Sequence, residues 1–331
     1  MKVRKITDRK DYDLYTTDVT YDYSIDDIIS SGITDTQSII DSVIRLYLPG
    51  LDIKYNAPEF GCSAFSTGDT RGHVLTGRNY DFKNDTSAML VHCRPAKGYE
   101  SVATAALDNI GMNAPEDERR AALANIAAPF ICLDGLNEKG VSIAVLTLDS
   151  EPTFQHTGKP VIATTLAIRL VLDRAATTQE AVDILKQYDM MASSGRDYHF
   201  YINDASGDGR AVEYDCNSST RELVDTPIRS ITNFFAMYRE KVKPHQHNDP
   251  YGHGRERYDS IEAVLTEAEG SVTEETAWQA VKASSQEPKE GDITSNTQWS
   301  IVYDNTELTA GIALRRDWDN SIHYDLKAEI R

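Results

Sequence analysis

The sequence predicts an α+β fold of four layers, αββα, in which two mostly antiparallel sheets pack face to face with helices outside. Three observations lead there. Strand-like and helix-like patterns come in blocks, strands then helices then strands again, instead of alternating singly as in a parallel nucleotide-binding sheet. The strand-like segments after residue 61 are short and divided by Gly, Asp and Asn turns, as in a meander. Near the C-terminus Trp299, Ile301 and Tyr303 alternate with Ser300, Val302 and Asp304, a period of two that suits a strand with two distinct faces.

In chain order, residues 1–61 open with an acidic, Tyr-rich stretch to which no element is assigned. Ile39, Ile40, Val43, Ile44 and the run from Leu46 to Leu48 then recur at helical spacing, predicting a helix over 36–48 that Pro49-Gly50 ends. A turn-prone run, Tyr55 to Gly61, leads directly into Cys62. Strands are expected at 62–65, 74–79, 88–93, 102–106, 130–133 and 141–148. Helices follow at 163–174 and 181–188, the second opened by the capping box Thr177-Thr178-Gln179-Glu180. Strands return at 198–202, 210–214 and 229–235. After a His-rich and Pro-rich loop, 244–253, come a helix over 255–268 and another opened by Ser271-Val272-Thr273-Glu274. Strands at 299–304, 308–314 and 322–326 close the chain. With no internal repeat or linker in view, residues 62–331 read as one domain and 1–61 as an N-terminal prosegment.

Bulk properties remove several function classes. The 331 residues are 40% apolar and 26% charged, an ordinary globular composition. No window approaches the roughly 18 apolar residues of a membrane span, and residues 1–15 lack the apolar core of a signal peptide, so a cytoplasmic protein is expected. A formal net charge of −18 argues against a nucleic-acid partner, because phosphates are bound through clustered Lys and Arg. The cysteines at 62, 93, 132 and 216 form no CxxC pair, so neither a disulfide framework nor a redox motif is expected. Cys93, Cys132 and Cys216 sit in or beside apolar runs and read as buried, inert thiols. His245, His247 and His253 offer HxH without HExxH or a carboxylate at helical spacing, which favours a solvated loop over zinc. Gly207-Asp208-Gly209 and Gly252-His253-Gly254 read as tight turns, not phosphate cradles.

Cys62 is set apart by its surroundings. It heads a strand, and the next strand reads Gly77-Arg78-Asn79-Tyr80-Asp81-Phe82, so hairpin pairing brings a cation and a carboxylate toward the thiol. A cation favours thiolate, and a carboxylate can hold an ammonium. Such a thiol still needs a base, and the α-amine of an N-terminal residue, with a reference pKa of about 7.7 to 8.0, can serve.

With Arg sixteen and Asp nineteen positions after the Cys, and the wording GRNxDF, the segment resembles the choloylglycine hydrolase and penicillin V acylase family, whose relatives include acid ceramidase and N-acylethanolamine amidase. Further matches follow in order. Leu133 to Gly140 with the strand after it resembles the family's NEKG turn. Tyr198 to Glu213 resembles its HWxxxDxSGxxxVVE segment, and Ile231-Thr232-Asn233 its LTN motif. Arg257-Tyr258 resembles its late active-site Arg, and Gln298 to Asp304 its closing strand.

The resemblance implies an N-terminal-nucleophile (Ntn) hydrolase sandwich with no metal or organic cofactor. Cys62, freed from residues 1–61, would attack an amide carbonyl with its own α-amine as base, and Asp81 would hold that amine. Arg78 would support the thiolate. Asn233 and a backbone N–H near Thr147 would stabilise the oxyanion, and Arg257 would complete the charge network. Thr147 stands where bile-salt hydrolases carry Asn and penicillin acylases Tyr. The implied substrate is a small linear amide with an apolar acyl part, such as an N-acyl amino acid, a conjugated bile acid or a fatty-acid amide. Cleavage before Cys62 would be autocatalytic or the work of a protease, with the amphipathic helix over 36–48 expected to lie across the acyl groove until then. Plainer readings stand beside this one: a strand cysteine, a strand-end ion pair of Arg78 and Asp81, and a turn at Asn233. An acyltransferase of the same fold and a non-catalytic binding protein that keeps its prosegment are the alternative functions. The sequence also leaves room for a homo-oligomer.

Overall fold

A computed structural model describes residues 3–9, 12–50, 52–56, 60–82, 85–115, 117–192, 195–246, 254–290 and 296–329. His247, Gly252 and His253, and residues 57–59 of the run leading into Cys62, lie outside the described residues. The chain begins with β1 (Val3–Lys5), β2 (Leu14–Val19), α1 (Ile25–Ser30) and α2 (Thr36–Tyr47). The hairpin β3 (Phe60–Gly68) and β4 (Val74–Phe82) follows, then β5 (Ala88–Cys93), β6 (Ser101–Ala106), α3 (Glu118–Ala127), β7 (Cys132–Asn137) and β8 (Ser142–Leu148). The middle of the chain forms β9 (Val161–Ala163), α4 (Thr164–Arg174), α5 (Thr178–Leu185), β10 (Asp189–Met191), β11 (Asp197–Asn203), β12 (Arg210–Tyr214), β13 (Leu223–Pro227) and β14 (Ser230–Ile231). The last part supplies α6 (Arg239–Val242), α7 (Gly254–Glu267), α8 (Glu274–Ala283), β15 (Thr297–Asp304), β16 (Thr309–Leu314), β17 (Ile322–Asp325) and α9 (Leu326–Glu329).

Two large sheets result. One has nine strands in the order β1-β2-β5-β6-β7-β8-β11-β12-β13, and the other six in the order β14-β3-β4-β15-β16-β17. Every neighbouring pair in them is antiparallel except β2 with β5. The sheets meet where β3 lies on β8 and β11. Helix α4 covers β7 and β8 on one outer side, while α7 and α8 cover β3, β4, β14 and β15 on the other, which gives the four layers. Strand β15 shows why its alternation was readable: Trp299, Ile301 and Tyr303 join the core between the sheets, and Val302 joins a separate cluster under α7 and α8. Gly77 is glycine for a local reason. The ring of its cross-strand partner Phe65 fills the place of a side chain, and a Cβ would stand 2.3 Å from it.

Capping chemistry fixes several helix starts. Thr177 accepts the Glu180 N–H at 3.1 Å as expected, but the Glu180 carboxylate reaches back to Ala176 N–H instead of to Thr177. The second expected box is displaced: Thr273 caps α8, with Thr276 as its reciprocal partner. The strand expected over 229–235 pairs only at Ser230 and Ile231, because Thr232 to Phe235 leave the sheet as a loop. No described helix is long and apolar enough to cross a membrane.

The N-terminal 61 residues differ most from expectation. Leu14, Tyr15 and Val19 of β2 are buried, and β2 runs parallel to β5 along its whole length. Helix α2 buries Ile39, Ile40, Val43 and Ile44 against α1, α3 and α4, on the outer side of the nine-stranded sheet. It therefore does not lie across a groove beside Cys62. After α2, the stretch Ile53–Asn56 is tied back to the body of the protein. There Gln37 accepts the Tyr55 N–H at 2.6 Å and donates to the Ile53 carbonyl at 2.8 Å, and Asn56 N–H donates to the Asn109 carbonyl at 2.7 Å. A chain that starts at Cys62 loses a dozen buried apolar side chains from this core, where each Leu or Ile removed costs about 2–5 kcal/mol. We expect it to show no cooperative thermal transition by circular dichroism. A melt matching that of the full chain would mean the N-terminal segment is dispensable for folding.

Candidate active site

The β3–β4 register pairs Gly61 with Asp81, Cys62 with Tyr80 and Ala64 with Arg78. Directly paired residues share a face and successive residues alternate, so Cys62, Arg78 and Tyr80 point into the core between the sheets while Asp81 points toward the outer layer. The hairpin thus does not bring both charges to the thiol, as the sequence suggested. Arg78 attends the sulfur, and Asp81 attends the backbone around Cys62. The thiol is fully buried. Burial raises its pKa and Asp81 adds to this, against the opposing pull of the Arg78 guanidinium.

Arg78 is 1% exposed and spends its donors on the facing sheet. Its Nε donates to Asp134 Oδ2 on β7 at 2.7 Å, Nη2 to the Val145 carbonyl on β8 at 3.1 Å, and Nη1 to its neighbour's carbonyl on Asn79 at 2.9 Å. Asp134 also accepts from Trp299 Nε1 at 3.1 Å and the Tyr303 hydroxyl at 2.8 Å. Its two oxygens are thus saturated by one cation and two aromatic donors, which is how a carboxylate with no exposure is tolerated.

The backbone of Cys62 is held from the other side. Its N–H donates to Asn233 Oδ1 at 2.9 Å, and its carbonyl accepts from Arg257 Nη1. Arg257 Nη2 donates to the same Asn233 oxygen at 2.6 Å, and Asn233 Nδ2 donates to the Thr147 carbonyl at 2.7 Å. This fixes the amide orientation: turned over, its NH2 group would face two donors. Asp81 Oδ2 lies 3.5 Å from Arg257 Nη1 and accepts from Gln286 Nε2 at 2.9 Å, while Oδ1 accepts from the Thr297 hydroxyl at 2.6 Å. Burial raises the Asp81 pKa, and Arg257, Thr297, Gln286 and Arg78 oppose that rise.

Thr147 is the one candidate whose side chain has no role in this network, since its buried hydroxyl finds no partner among the described residues. Its backbone faces the site. The Val141 carbonyl bonds across to Asn137, so residues 141, 143, 145 and 147 direct their peptide groups to the β7 side. The ladder between β7 and β8 stops at Ala144, which frees Val145 and Thr147 to meet Arg78 and Asn233. The N–H of Thr147 points the same way as its carbonyl.

Cys62, Arg78, Asp81, Asn233 and Arg257, with the peptide group of Thr147, therefore form one connected cluster although they come from four elements and a loop. Sequence reasoning missed Asp134, read there only as part of a turn motif, along with Gln286 and Thr297. It also took Cys216 for a buried thiol; this residue follows β12 and is partly exposed, whereas Cys93 and Cys132 are fully buried.

The family model described as linear amide C–N hydrolases, choloylglycine hydrolase family, matches residues 62–234 and so begins at Cys62. Among solved structures, penicillin V acylase from Agrobacterium tumefaciens is similar at 18% identity, with a TM-score of 0.58 over 80% of this chain and 86% of that one. Two variants of conjugated bile acid hydrolase from Clostridium perfringens are similar at 13% and 12% identity, with TM-scores of 0.60 and 0.61, each over 81% of this chain and 93% of theirs. No curated protein matches. At such identities the structures show a shared Ntn-hydrolase fold, and the family match adds the class of chemistry: the chain belongs to the choloylglycine hydrolase family of linear amide C–N hydrolases.

Proposed function

We propose that this protein is the precursor of a cysteine amidohydrolase, active once the Gly61–Cys62 bond is cut, that hydrolyses a linear amide with an apolar acyl part. One observation carries the reading: Asn233 and Arg257 grip the two backbone polar atoms of Cys62, with Asp81 beside them, in mid-strand. Burying ions is unfavourable unless they are paired and hydrogen-bonded. A structural strand cysteine has no use for an arginine, a carboxylate and an amide gathered on its own peptide groups.

Cutting the bond changes one atom decisively. In the intact chain the Cys62 nitrogen is an amide that takes no proton near neutral pH. Afterwards it is an amine, with a reference pKa of about 7.7 to 8.0, beside the Asn233 oxygen and near Asp81. That amine would accept the thiol proton as sulfur attacks the substrate carbonyl. The developing oxyanion would take the second hydrogen of Asn233 Nδ2, the first being committed to Thr147, together with the Thr147 N–H. The amine then returns the proton to the leaving nitrogen as the C–N bond breaks and a thioester remains. Water, deprotonated by the same amine, releases the acid. Arg78 would favour thiolate in the attacking state. N-acyl amino acids, conjugated bile acids and fatty-acid amides are the substrate types proposed.

Intact mass over time, combined with a screen of penicillin V, glycine- and taurine-conjugated bile acids, N-acyl amino acids and N-acylethanolamines, tests the proposal. Protein cut before Cys62 should hydrolyse at least one of these, and uncut protein none. Cys62→Ala should abolish turnover; full amidase activity in that variant would sink the assignment.

Asn233→Ala should lower kcat by roughly a hundredfold to a thousandfold, the usual loss for one oxyanion donor, with KM little changed. A change in KM alone would move Asn233 to a substrate-binding role.

Thiol labelling gives a pH test. Burial raises the pKa of both Cys62 and Cys216, but Cys62 is fully buried and Cys216 partly exposed, so in uncut protein iodoacetamide should modify Cys216 first and Cys62 only slowly, with labelling faster in alkaline solution. Fast labelling of Cys62 in uncut protein at neutral pH would contradict a closed precursor.

A further inference from the structure

Asn233 belongs to a loop, and something must hold that loop still. We infer that His199 and Glu213, a buried pair on the opposite sheet, are positioning residues that clamp the loop from Thr232 to Met237 at both ends and so aim the Asn233 side chain at Cys62. The inference rests on the role proposed above for Asn233.

Both residues have no exposed side-chain surface and stand side by side on β11 and β12, with His199 Nδ1 2.8 Å from Glu213 Oε1. The other ring nitrogen, Nε2, lies 2.9 Å from the Thr232 carbonyl. A carbonyl has no proton to give, so Nε2 carries the hydrogen and donates to the residue just before Asn233. Glu213 takes the far end: its Oε1 accepts the Ala236 N–H at 2.7 Å, and its Oε2 accepts the Met237 N–H at 2.9 Å. The Thr232 hydroxyl in turn donates to the Gly254 carbonyl at 2.6 Å, at the first residue of α7, the helix that carries Arg257. Three anchors therefore surround Asn233 at positions −1, +3 and +4, and none touches Cys62. Burying an ionisable pair this completely to secure six loop residues is otherwise unexplained, since a strand pair of apolar residues would pack the same space at lower cost.

Glu213→Gln puts an NH2 group where a carboxylate oxygen accepted a backbone N–H, so at least one anchor is lost without a change in size. It should lower kcat about tenfold or more on the best amide of the screen, with KM within about twofold. His199→Gln, which keeps a donor for Thr232, should lose less than His199→Phe. The decisive comparison is the double variant: Glu213→Gln with Asn233→Ala should be no slower than Asn233→Ala alone, because a misaimed side chain that is absent cannot be misaimed further. Fully additive losses, or a Glu213→Gln enzyme with unchanged kcat, would overturn the inference. A readout in the unaltered protein needs neither substrate nor folded variants: the Ala236 and Met237 amides should exchange with solvent as slowly as those of β11, and exchange at the rate of an open loop would overturn the inference as well. If Asn233→Ala keeps its kcat, the proposed oxyanion role fails, and the exchange rates still decide whether the pair clamps the loop.

Discussion

One buried guanidinium determines how the two sheets face each other. Arg78 projects from β4 across the sandwich into the gap where β7 and β8 part, and bonds to Asp134 on one strand and the Val145 carbonyl on the other. Its partner draws Trp299 and Tyr303 of β15 to the same point. An ion pair in such a place is not a source of net stability, yet removing one partner leaves the other charge stranded, at a cost of about 3–5 kcal/mol. What the pair supplies is registry. A core of aliphatic and aromatic side chains alone would let the sheets settle at several offsets; a forked cation that must meet one carboxylate and one carbonyl allows one. Thr147 lies two residues beyond Val145 on the same strand edge, and Cys62 lies opposite Tyr80 on the hairpin that carries Arg78. The crosslink thus joins the strand edge that carries Thr147 to the hairpin that carries Cys62.

Much of this was legible in the sequence where the signal is local. The alternation of 299–304 gave a two-faced strand because both faces really are covered by different clusters. The spacing from Cys62 to Arg78 and Asp81 could be read because a hairpin converts sequence distance into register. Alternation within that hairpin carried further information, namely that Arg78 and Asp81 must point to opposite faces, and this follows from counting alone. Other features had no local signature. Strand β2, LYTTDV, carries three polar residues in a row and pairs with a strand some seventy residues later, so nothing nearby marks it as core. Helix α3 reads ERRAALANIA, with Leu123 and Ile126 its only large apolar residues. Asp134 sits in a segment whose glycines and asparagine suggest a turn, and only the approach of another sheet reveals why a carboxylate belongs there.

The site itself shows a division of labour between elements. The hairpin supplies the thiol, the cation beside its sulfur and, on the opposite face, the carboxylate beside Arg257. The loop after β14 and the helix α7 bring Asn233 and Arg257 to the peptide groups of the same residue. Everything converges on the backbone of Cys62 as much as on its sulfur, which suits chemistry that depends on the nitrogen becoming an amine.

The parallel seam between β2 and β5 bears on the fate of the chain after any cut at residue 61. The nine-stranded sheet ends at β1, three residues long with Arg4 and Lys5 exposed, a short cationic border that recruits no further strand. Behind β1 and β2 lies β5, AMLVHC, buried at every position. Were the N-terminal piece to drift away, five apolar residues and a histidine would form a bare edge of unpaired peptide groups, ready to template another copy of the chain. The N-terminal strands cover this edge, so a severed molecule that lost them would present it to other copies of the chain.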